Sequence, residues 1–430
     1  MERRTFLATA LAAPLRAAPS DRVNVAVVGV RGRGRDHIRE YGTRADSRVA
    51  AICDIDDGVA ASAAELAAKT QGSAAPKIYK DIRALLENKD VDAISIATCN
   101  HWHALAAIWA CQAGKDVYVE KPACHNIWEG RRMVEAARKY GRVVQCGMQA
   151  RSIAHYREAI GLLHAGAIGK LYMAKSLCYK RRRSIGRMPN GPVPPGVDYN
   201  LWLGPAPERA FNPNRFHYNW HWFWDTGNGD IGNQGVHEID LARWGLGKTQ
   251  LPAKVHSTGG KFVYDDDQET PNTQIATFEY GDAWIVSEVR GILTGSEASI
   301  GDDGNGNYIG NIFFGDGGYL SLDSGGFQLY LGEKRELALQ RKHVEPVEWD
   351  NQPHIGNFLD AVRSRKADAL NCEILEGTRS AALVHLANAS YRTGRALAVD
   401  HETEGVAGDV EANRYLRRDY RPPFVVPERV

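Results

Sequence analysis

The sequence predicts an α/β protein whose first half is a doubly wound parallel sheet. Three observations support this prediction. Residues 23–30 form a continuous apolar, β-branched run, as in a strand buried on both faces of a parallel sheet, and this run leads into a glycine-rich turn. Strand-like and helix-like patterns then alternate to about residue 149. An acidic residue, Asp54, stands at the end of the second strand pattern.

The remaining elements of this half follow in regular alternation. In chain order we predict a strand at 48–56, a helix at 58–70, a strand at 77–79, a helix at 82–88, a strand at 91–100, a helix at 103–113, a strand at 116–122, a helix at 127–140 and a strand at 142–149. Ligands of doubly wound sheets bind beyond the carboxyl ends of the strands. The polar clusters at 98–103 and 120–126 are therefore candidate site residues.

The glycine-rich turn predicts a phosphate-binding site. Gly29, Gly32 and Gly34 are spaced GxxGxG at the start of a helical pattern. Glycine at such positions allows a tight turn and lets backbone N–H groups approach a pyrophosphate at the helix N-terminus. The strand-end clusters add Asn100, His103, Glu120 and Lys121 to the predicted cofactor-binding residues.

Asp54 predicts the type of dinucleotide. It lies twenty residues after Gly34, where a carboxylate accepts hydrogen bonds from the adenosine ribose hydroxyls. A carboxylate there repels a 2′-phosphate, so we expect NAD, held tightly, in preference to NADP. Three arginines between residues 31 and 35 keep NADP as the alternative.

Composition gives no indication of several other classes of protein. The 430 residues carry 53 basic and 52 acidic side chains, which gives no electrostatic signal for nucleic acid or a membrane surface. No apolar run after the first twenty residues reaches the roughly 18–20 residues that span a bilayer. The seven cysteines are scattered without a CxxC pair, as is typical of buried thiols. We therefore predict no nucleic-acid partner, no membrane partner and no metal site.

The later motifs resemble those of the Gfo/Idh/MocA family of sugar and cyclitol oxidoreductases. They are TCNHWH at 98–103, EKP at 120–122, N-x-G-x-H at 233–237 and a helical closing segment from residue 358. The resemblance covers nearly the whole chain after residue 20. It implies a Rossmann domain at 21–149, an α/β substrate domain at 150–400 with a large, mostly antiparallel open sheet, and a C-terminal arm at 401–430.

Lys121 and His237 are the candidate acid/base groups. A lysine beside a cationic nicotinamide has its pKa lowered by like charge and desolvation, so it can exchange a hydroxyl proton near neutral pH. The resemblance implies that both side chains reach the substrate hydroxyls. A buried structural histidine is the alternative interpretation of His237, and zinc binding by His237, Glu238 and Asp240 is a weaker one.

Asn233 departs from the family pattern, which commonly has an aspartate there. Asn233, His237 and Asp240 stand at i, i+4 and i+7, which predicts one polar face on a single helix. An asparagine carries no charge but can orient a substrate hydroxyl through its amide, so we include it among the catalytic residues. We expect Asp240 to fix the helix or the tautomer of His237.

The second half predicts a carbohydrate site with aromatic walls. Candidate substrate-binding residues are Trp220, Trp222, His221, Arg181, Gln149 and Arg151. Aromatic rings stack on sugar C–H faces and arginine recognises anionic substituents. Core packing of the tryptophans and a solvated basic loop remain alternatives. We also expect residues 189–200 to be an ordered excursion, and the arm to pack on this chain or on a neighbour in a dimer or tetramer.

Residues 1–20 have the layout of a twin-arginine export signal. Arg3 and Arg4 precede a short apolar stretch that ends at Leu15. We therefore expect a periplasmic or otherwise exported protein that loads its cofactor before export. An unprocessed basic terminus is the alternative, because Arg16 occupies the −3 position of a cleavage site after Ala18, where a small residue is preferred.

Taken together, these residues predict an NAD-dependent oxidoreductase acting on a secondary hydroxyl of a sugar, glycoside or cyclitol. One alternative is an NAD-dependent glycosidase, in which C3 is oxidised, the C2 proton and the aglycone leave, water adds and C3 is reduced again. An exported protein has no free NAD pool, which favours such a redox-neutral cycle. A non-catalytic NAD-binding sensor is a third possibility, and the presence of both Lys121 and His237 argues against it.

Overall fold

The computed structural model describes residues 22–343 and 351–430. The predicted export signal at 1–20 lies outside the described residues. The described chain contains two sheets, one of six strands and one of ten, and both carry helices. The predicted α/β class with two different sheets is confirmed. Within these residues no helix is both long and apolar enough to cross a membrane.

The first sheet is fully parallel, in the order β3-β2-β1-β4-β5-β6. Its elements are β1 (Val23–Val28), α1 (Arg33–Gly42), β2 (Ser47–Cys53), α2 (Asp57–Gln71), β3 (Lys77–Tyr79), α3 (Ile82–Leu86), β4 (Ala93–Ile96), α4 (Asn100–Gln112), β5 (Asp116–Val119), α5 (Ile127–Lys139) and β6 (Val144–Cys146). The strand order reverses beside β1, which pairs with β2 on one side and β4 on the other. Such a reversal opens a crevice at the carboxyl ends of the strands.

The second sheet has the order β14-β13-β12-β11-β7-β10-β9-β8-β15-β16. Its region contains α6 (Ala154–His164), β7 (Leu171–Tyr179), α7 (Tyr199–Leu203), α8 (Gly229–Asn233), α9 (Gly235–Gly245), β8 (Lys254–Gly260), β9 (Thr273–Glu279), β10 (Trp284–Arg290), β11 (Tyr308–Gly315), β12 (Gly318–Asp323), β13 (Gly326–Leu331), β14 (Glu336–Lys342), α10 (Gln352–Ser364), α11 (Ile374–Thr393), β15 (Leu397–Asp400), β16 (Gly405–Val406) and α12 (Val410–Tyr415). Its strand pairs are antiparallel except β7 with β10.

Helices cover one face of this second sheet. Along β9, Gln274, Ala276 and Phe278 are buried while Ile275 between them is exposed, which is the alternation of a strand with one covered face. Helix α9 packs on β7, β10 and β11, and α11 packs on β8 and β9. The helix that carries His237 is therefore held rigidly between this sheet and α11.

The predicted boundary at residue 150 does not separate the two domains completely. Helix α10, from the later part of the chain, packs on the first domain. Ile355, Phe358 and Leu359 are fully buried in the same apolar cluster as Val25 and Ile38 of the first domain. The spacing of apolar residues along α10 indicates a helix with one buried face. It does not indicate which of the two sheets that face covers.

Residues 184–218 form a segment that we call the strap, and it crosses from the second domain to the first. Its main chain pairs with the end of the second strand region: Asp56 and Val197 form an antiparallel bridge, and Asp198 N–H donates to the Ile55 carbonyl at 2.9 Å. The predicted ordered excursion at 189–200 is confirmed and extends further than expected.

The C-terminal arm packs on this chain's own first domain. Trp128 N–H donates to the Leu416 carbonyl at 3.0 Å, at the start of α5. Further along, Arg421 donates to the side chain and main chain of Asn200 in the strap at 2.6 and 2.8 Å. The arm therefore fastens the strap to the first domain.

Candidate active site

A cleft of about 440 Å³ lies at the carboxyl ends of the first sheet's strands, under the strap. Three parts of the chain form its walls: the strand-end loops of the first domain, the strap with the aromatic segment that follows it, and the junction of α8 and α9. Its lining includes Gly29, Gly32, Asp54, Asn100, His103, Glu120, Lys121, Gln149, Trp202, His217, Tyr218, Trp220, His221, Asn233, Gln234 and His237.

The glycine turn has the shape of a phosphate cradle. Gly29 has φ +80°, and a Cβ there would lie 2.8 Å from the Ala97 carbonyl oxygen. A Cβ on Gly34 would lie 2.0 Å from the Gly29 oxygen, so both positions require glycine. Gly32 precedes the first turn of α1, and a Cβ there would meet nothing within 4 Å. The turn therefore presents open backbone at a helix N-terminus, which suits a diphosphate.

Asp54 joins the glycine turn to the end of β2. Its Oδ2 accepts from Val30 N–H at 2.7 Å and its Oδ1 from Asp56 N–H at 3.1 Å. Burial raises the pKa of this carboxyl. The residue lines the cleft at the ribose position that the sequence predicted, and Arg31 and Lys80 line the same cleft. These residues fit the adenosine end of a dinucleotide.

Glu120 is the centre of a buried hydrogen-bond network. Its Oε1 lies 3.0 Å from Arg33 Nε, 3.1 Å from His37 Nε2 and 3.0 Å from Gln149 Nε2. Although burial opposes ionisation, the Arg33 guanidinium and His37 hold the pKa of Glu120 well below its usual range. Glu120 and Gln149 line the cleft, but these oxygen and nitrogen atoms bind protein neighbours.

Lys121 reaches across the cleft to the second domain. Its Nζ donates to the Asn233 carbonyl oxygen at 2.6 Å, and the Lys121–Pro122 peptide is cis. Burial lowers the pKa of Lys121, and the charges of Arg33 and nearby cations lower it further, against the opposing effect of Glu120. An amine with a lowered pKa, fixed by one hydrogen bond, is suited to proton exchange near neutral pH.

His237 stands in the first turn of α9 and lines the cleft together with Lys121. Burial lowers the pKa of His237 to about 3, and the charge of Lys121 adds to this effect. The imidazole is therefore neutral at physiological pH. A neutral imidazole can donate one hydrogen bond and accept another.

The predicted single helix is divided in two, and of its three polar residues Asn233 and His237 line the cleft while Asp240 does not. The chain breaks at Gln234: α8 ends at Asn233 and α9 begins at Gly235. Glycine is a poor helix former, and this stretch has one at 229, 232 and 235. Asn233 is held beside Lys121 through its carbonyl, and its Nδ2 lies 3.5 Å from Asp230 Oδ1.

Asp240 and Arg151 form a buried ion pair away from the cleft. Arg151 Nε donates to Asp240 Oδ2 at 2.7 Å, and Arg151 Nη2 donates to Asp240 Oδ1 at 2.8 Å. Ser380 Oγ also donates to Asp240 Oδ1, at 2.6 Å. Arg151 is not among the residues that line the cleft, so its predicted substrate contact is corrected. Asp240 was expected to fix the helix or the tautomer of His237, and these contacts fit the first role, because they tie α9 to Arg151 and to α11.

The predicted aromatic and basic residues divide into two groups. Trp220 and His221 line the cleft, with their rings stacked at 3.6 Å. Trp222 is buried outside the cleft lining, below the Arg182 guanidinium. Arg181 is exposed and does not line the cleft. The predicted substrate contacts of Trp222 and Arg181 are therefore corrected. The core-packing alternative holds for Trp222.

Asn100 and His103 line the cleft, but they also hold its loops. Asn100 Nδ2 donates to Asn228 Oδ1 at 3.0 Å. The ring nitrogens of His103 lie 2.7 Å from the Pro122 carbonyl oxygen and 3.0 Å from that of Thr98. These contacts join the two predicted polar clusters to one another.

The sequence did not identify the lining residues that the strap and the helix junction contribute. Trp202, Phe216, His217, Tyr218 and Gln234 all face the cleft. The sequence contains one indication of the strap's contribution, the ordered excursion predicted at 189–200. An ordered segment without its own core must pack on another element. The sequence did not show which element that is.

The fold and the cleft place this protein in the class of nicotinamide-dependent oxidoreductases. The chain belongs to the Gfo/Idh/MocA oxidoreductase family. The family's NAD-binding Rossmann-fold domain matches residues 23–148, and its C-terminal alpha/beta domain matches residues 182–426.

Similar proteins come from both sequence and structure. The chain is 30% identical to inositol 2-dehydrogenase 2 of Saccharopolyspora erythraea over 289 residues, which are 65% of this chain and 72% of that protein. The fold resembles the WlbA dehydrogenase of Bordetella pertussis in complex with NADH and UDP-GlcNAcA, with a TM-score of 0.64, 19% identity and coverage of 88% and 99% of the two chains. It also resembles a levoglucosan dehydrogenase in complex with NADH and levoglucosan, with a TM-score of 0.65, 18% identity and coverage of 87% and 99%.

Proposed function

We propose that the protein oxidises a secondary hydroxyl of a sugar, glycoside or cyclitol with NAD. The observation that carries this proposal is the placement of Lys121, with its lowered pKa, and neutral His237 in one cleft with the glycine turn. When bound there, the nicotinamide supplies the redox chemistry by accepting a hydride equivalent from the carbinol carbon. The relatives named for inositol and levoglucosan act on polyhydroxylated rings, which supports this substrate class.

The two side chains have different tasks in this proposal. Lys121 in its neutral form takes the hydroxyl proton onto Nζ, while the hydrogen bond to the Asn233 carbonyl keeps the amine in position. His237 stays neutral and orients the substrate oxygen through a hydrogen bond. Asn233 acts through its main chain, and its amide remains available for a second hydroxyl.

We also propose that NAD is preferred to NADP. A 2′-phosphate would lie beside Asp54, whose carboxylate is fixed by two backbone N–H groups and cannot turn away. Desolvating a dianion next to this carboxylate is unfavourable. Arg31 and Lys80 in the same cleft act in the opposite direction, which limits the expected preference.

The strap supports tight retention of the cofactor. Its rings of Trp202, Phe211 and Phe216, together with Trp220 just after it, pack against Ile55 at the end of β2. These contacts hold the strap over the cleft, so we expect them to slow the release of a cofactor seated there. Slow release favours the redox-neutral glycosidase as the second candidate, because that cycle consumes no NAD. There Lys121 and His237 would serve the proton transfers at C3 and C2.

One experiment distinguishes these two reactions. The nucleotide bound to the purified protein is identified by mass spectrometry, and a panel of cyclitols, sugars and aryl glycosides is then followed for NADH absorbance and aglycone release together. NADH formed in step with a ketone product supports the oxidoreductase. Aglycone release without NADH supports the glycosidase. No reaction, with no nucleotide bound and no NAD binding in titration, would refute both.

We further propose a homo-oligomer formed through the uncovered face of the second sheet. Ile275 on β9 and Trp284 on β10 are exposed there at 41% and 45%, and a stacked pair of tyrosines, Tyr319 and Tyr330, lies on the same sheet. Light scattering after gel filtration tests this proposal. Replacing Trp284 by glutamate should lower the oligomeric mass, while Lys69→Glu, at an exposed position on α2 of the first domain, should not.

Export through residues 1–20 is likewise a proposal, supported by the adjacent arginines and the following apolar stretch. Cell fractionation of the tagged full chain tests it. An Arg3→Lys, Arg4→Lys double variant should remain inside the cell, and an exported double variant would contradict the twin-arginine route.

A further inference from the structure

A second cavity of about 340 Å³ lies beside the cofactor cleft and shares none of its lining residues. Asn228 separates the two. Its Oδ1 accepts from Asn100, which lines the cleft, and its carbonyl accepts from Asn388 Nδ2 at 2.9 Å, which lines the second cavity. The C-terminal arm and α11 form the outer walls of this cavity. None of the residues assigned to the oxidoreductase chemistry lies in it.

The lining of this cavity carries more positive than negative charge. It contains four arginines, at positions 392, 414, 417 and 418, and two aspartates, at positions 225 and 419. Arg418 is already paired with Glu129 at 2.9 Å and Arg417 with Glu428. Asp225 is paired with Arg209 outside the cavity. Three charges of the lining are then left to consider: those of Arg392 and Arg414, and the opposite charge of Asp419.

Arg392 and Arg414 have no carboxylate partner within 4.0 Å in the described part of the chain. Arg392 is nevertheless fixed in place, because its guanidinium lies 4.8 Å from the centre of the Trp224 ring and 3.9 Å from that of Tyr415. Stacking uses the faces of the guanidinium and leaves the N–H groups at its edge for an acceptor in its plane. A positioned guanidinium that lacks a carboxylate at ion-pair distance is a pre-organised anion receptor.

The two histidines that line the cavity carry no charge. Burial and the Arg418 charge hold the pKa of His125 well below its usual range, and burial lowers the pKa of His385 to about 3. Both imidazoles are neutral at physiological pH. The net positive charge of the lining therefore comes from its four arginines against two aspartates, and it favours binding of an anion.

We propose that this cavity binds a small molecule through a phosphate or sulfate group, with Arg392 and Arg414 as its principal ligands. Guanidinium groups match the geometry of such oxyanions, and a dianion compensates both charges at once. The volume exceeds that of phosphate alone, so a phosphorylated sugar can also fit. Inorganic phosphate and a sugar phosphate share this chemistry, and the experiment separates them.

Isothermal titration calorimetry of the protein saturated with NAD tests the proposal. The probes are inorganic phosphate and glucose 6-phosphate, with glucose and chloride as matched ligands that lack the oxyanion. We expect saturable binding of one or both phosphate probes, and weaker binding in R392A/R414A by at least about tenfold, the scale of one lost charge-assisted hydrogen bond. The matched control is R48A, which removes an exposed arginine on β2 that has no carboxylate partner within 4.0 Å.

The single variant R414A keeps the test valid if the double variant fails to fold, because Arg414 is exposed and makes no ring contact of the kind that fixes Arg392. A loss of at least about threefold in R414A, with R48A unchanged, supports the site. Binding of chloride as tight as phosphate, no saturable binding in the wild type, or equal phosphate affinity in wild type and R414A would overturn it. Phosphate held by the glycine turn would be identical in all variants, so it cannot imitate the expected result.

Discussion

Two buried carboxylates, Glu120 and Asp240, use the same chemistry for different purposes. Each is 5% exposed or less, each is paired with an arginine, and each has a pKa below its usual range despite its burial. Glu120 precedes Lys121 and lines the cleft, and its charge raises the pKa of that lysine. Asp240 lies below His237 on α9 and joins Arg151 to Ser380 on α11.

Both carboxylates form an ion pair, so the ion pair alone does not determine their roles. Their positions do: Glu120, at the cleft, changes the pKa of Lys121, whereas Asp240, away from the cleft, stabilises the packing of α9. If this is correct, replacing Asp240 lowers the free energy of unfolding and does not shift the pH dependence of turnover. Replacing Glu120 changes that pH dependence. The predictions below test this contrast.

The largest expected effect is on stability in Asp240→Asn. Losing the charge leaves buried Arg151 with only the more distant Glu376, at 3.7 Å, as a counter-ion, which costs about 3 kcal/mol. Because the folded-state pKa of Asp240 is lowered, the wild-type stabilisation is complete above the unfolded-state pKa and is lost as the pH falls through the folded-state value. Urea unfolding at neutral pH measures the loss. The control is Asp282→Asn, which breaks an exposed pair with Lys248, and an equal loss in both would contradict the prediction.

Next in size is the loss of turnover in Lys121→Ala and in His237→Ala. Removing an acid/base group costs about 10²-fold or more, while nicotinamide binding persists. Since Lys121 acts as a base, kcat/KM for oxidation should rise with pH through its lowered pKa, and this rise should be absent in Lys121→Ala. Initial rates across pH and a cofactor titration measure both. Lys248→Ala serves as the surface control, and wild-type rates in either site variant would remove that residue from the mechanism.

A smaller change is expected in Glu120→Gln. The glutamine keeps the shape but loses the charge that raises the pKa of Lys121, so the pH profile of kcat/KM should move to lower pH. A weaker base should also lower turnover, by about tenfold. The same profile measured on Asp240→Asn should stay in place. A shift in both variants, or in neither, would break the contrast between the two carboxylates.

The smallest effect is expected at Asp54. In Asp54→Ala the loss of a charge-assisted hydrogen bond should weaken NAD binding by about tenfold and narrow its advantage over NADP. Asp54→Asn keeps an acceptor oxygen and removes the repulsion of a 2′-phosphate, so it should narrow the preference with a smaller loss of NAD affinity. Fluorescence titration with both nucleotides measures this. An unchanged preference in both variants would mean that another residue selects the cofactor.

The first domain was predictable because its signals are local. The apolar run of β1, the glycine turn and Asp54 lie within 34 residues, and periodicity identifies each of them. The break at Gln234 and the pairing of Arg151 with Asp240 were not predictable in this way. That ion pair joins residues 89 positions apart, and the hydrogen bond of Ser380 spans 140. Such contacts depend on how distant segments of the second domain pack together, which no local pattern records.

The contact between Arg421 and Asn200 has a consequence for the order of folding. The two residues lie 221 positions apart, so their hydrogen bonds close a long loop. Contacts of high sequence separation form late, since the entropy of loop closure must be overcome first. The strap is therefore locked after both sheets are built. We therefore expect the strap side of the cleft to stay open until the arm is in place.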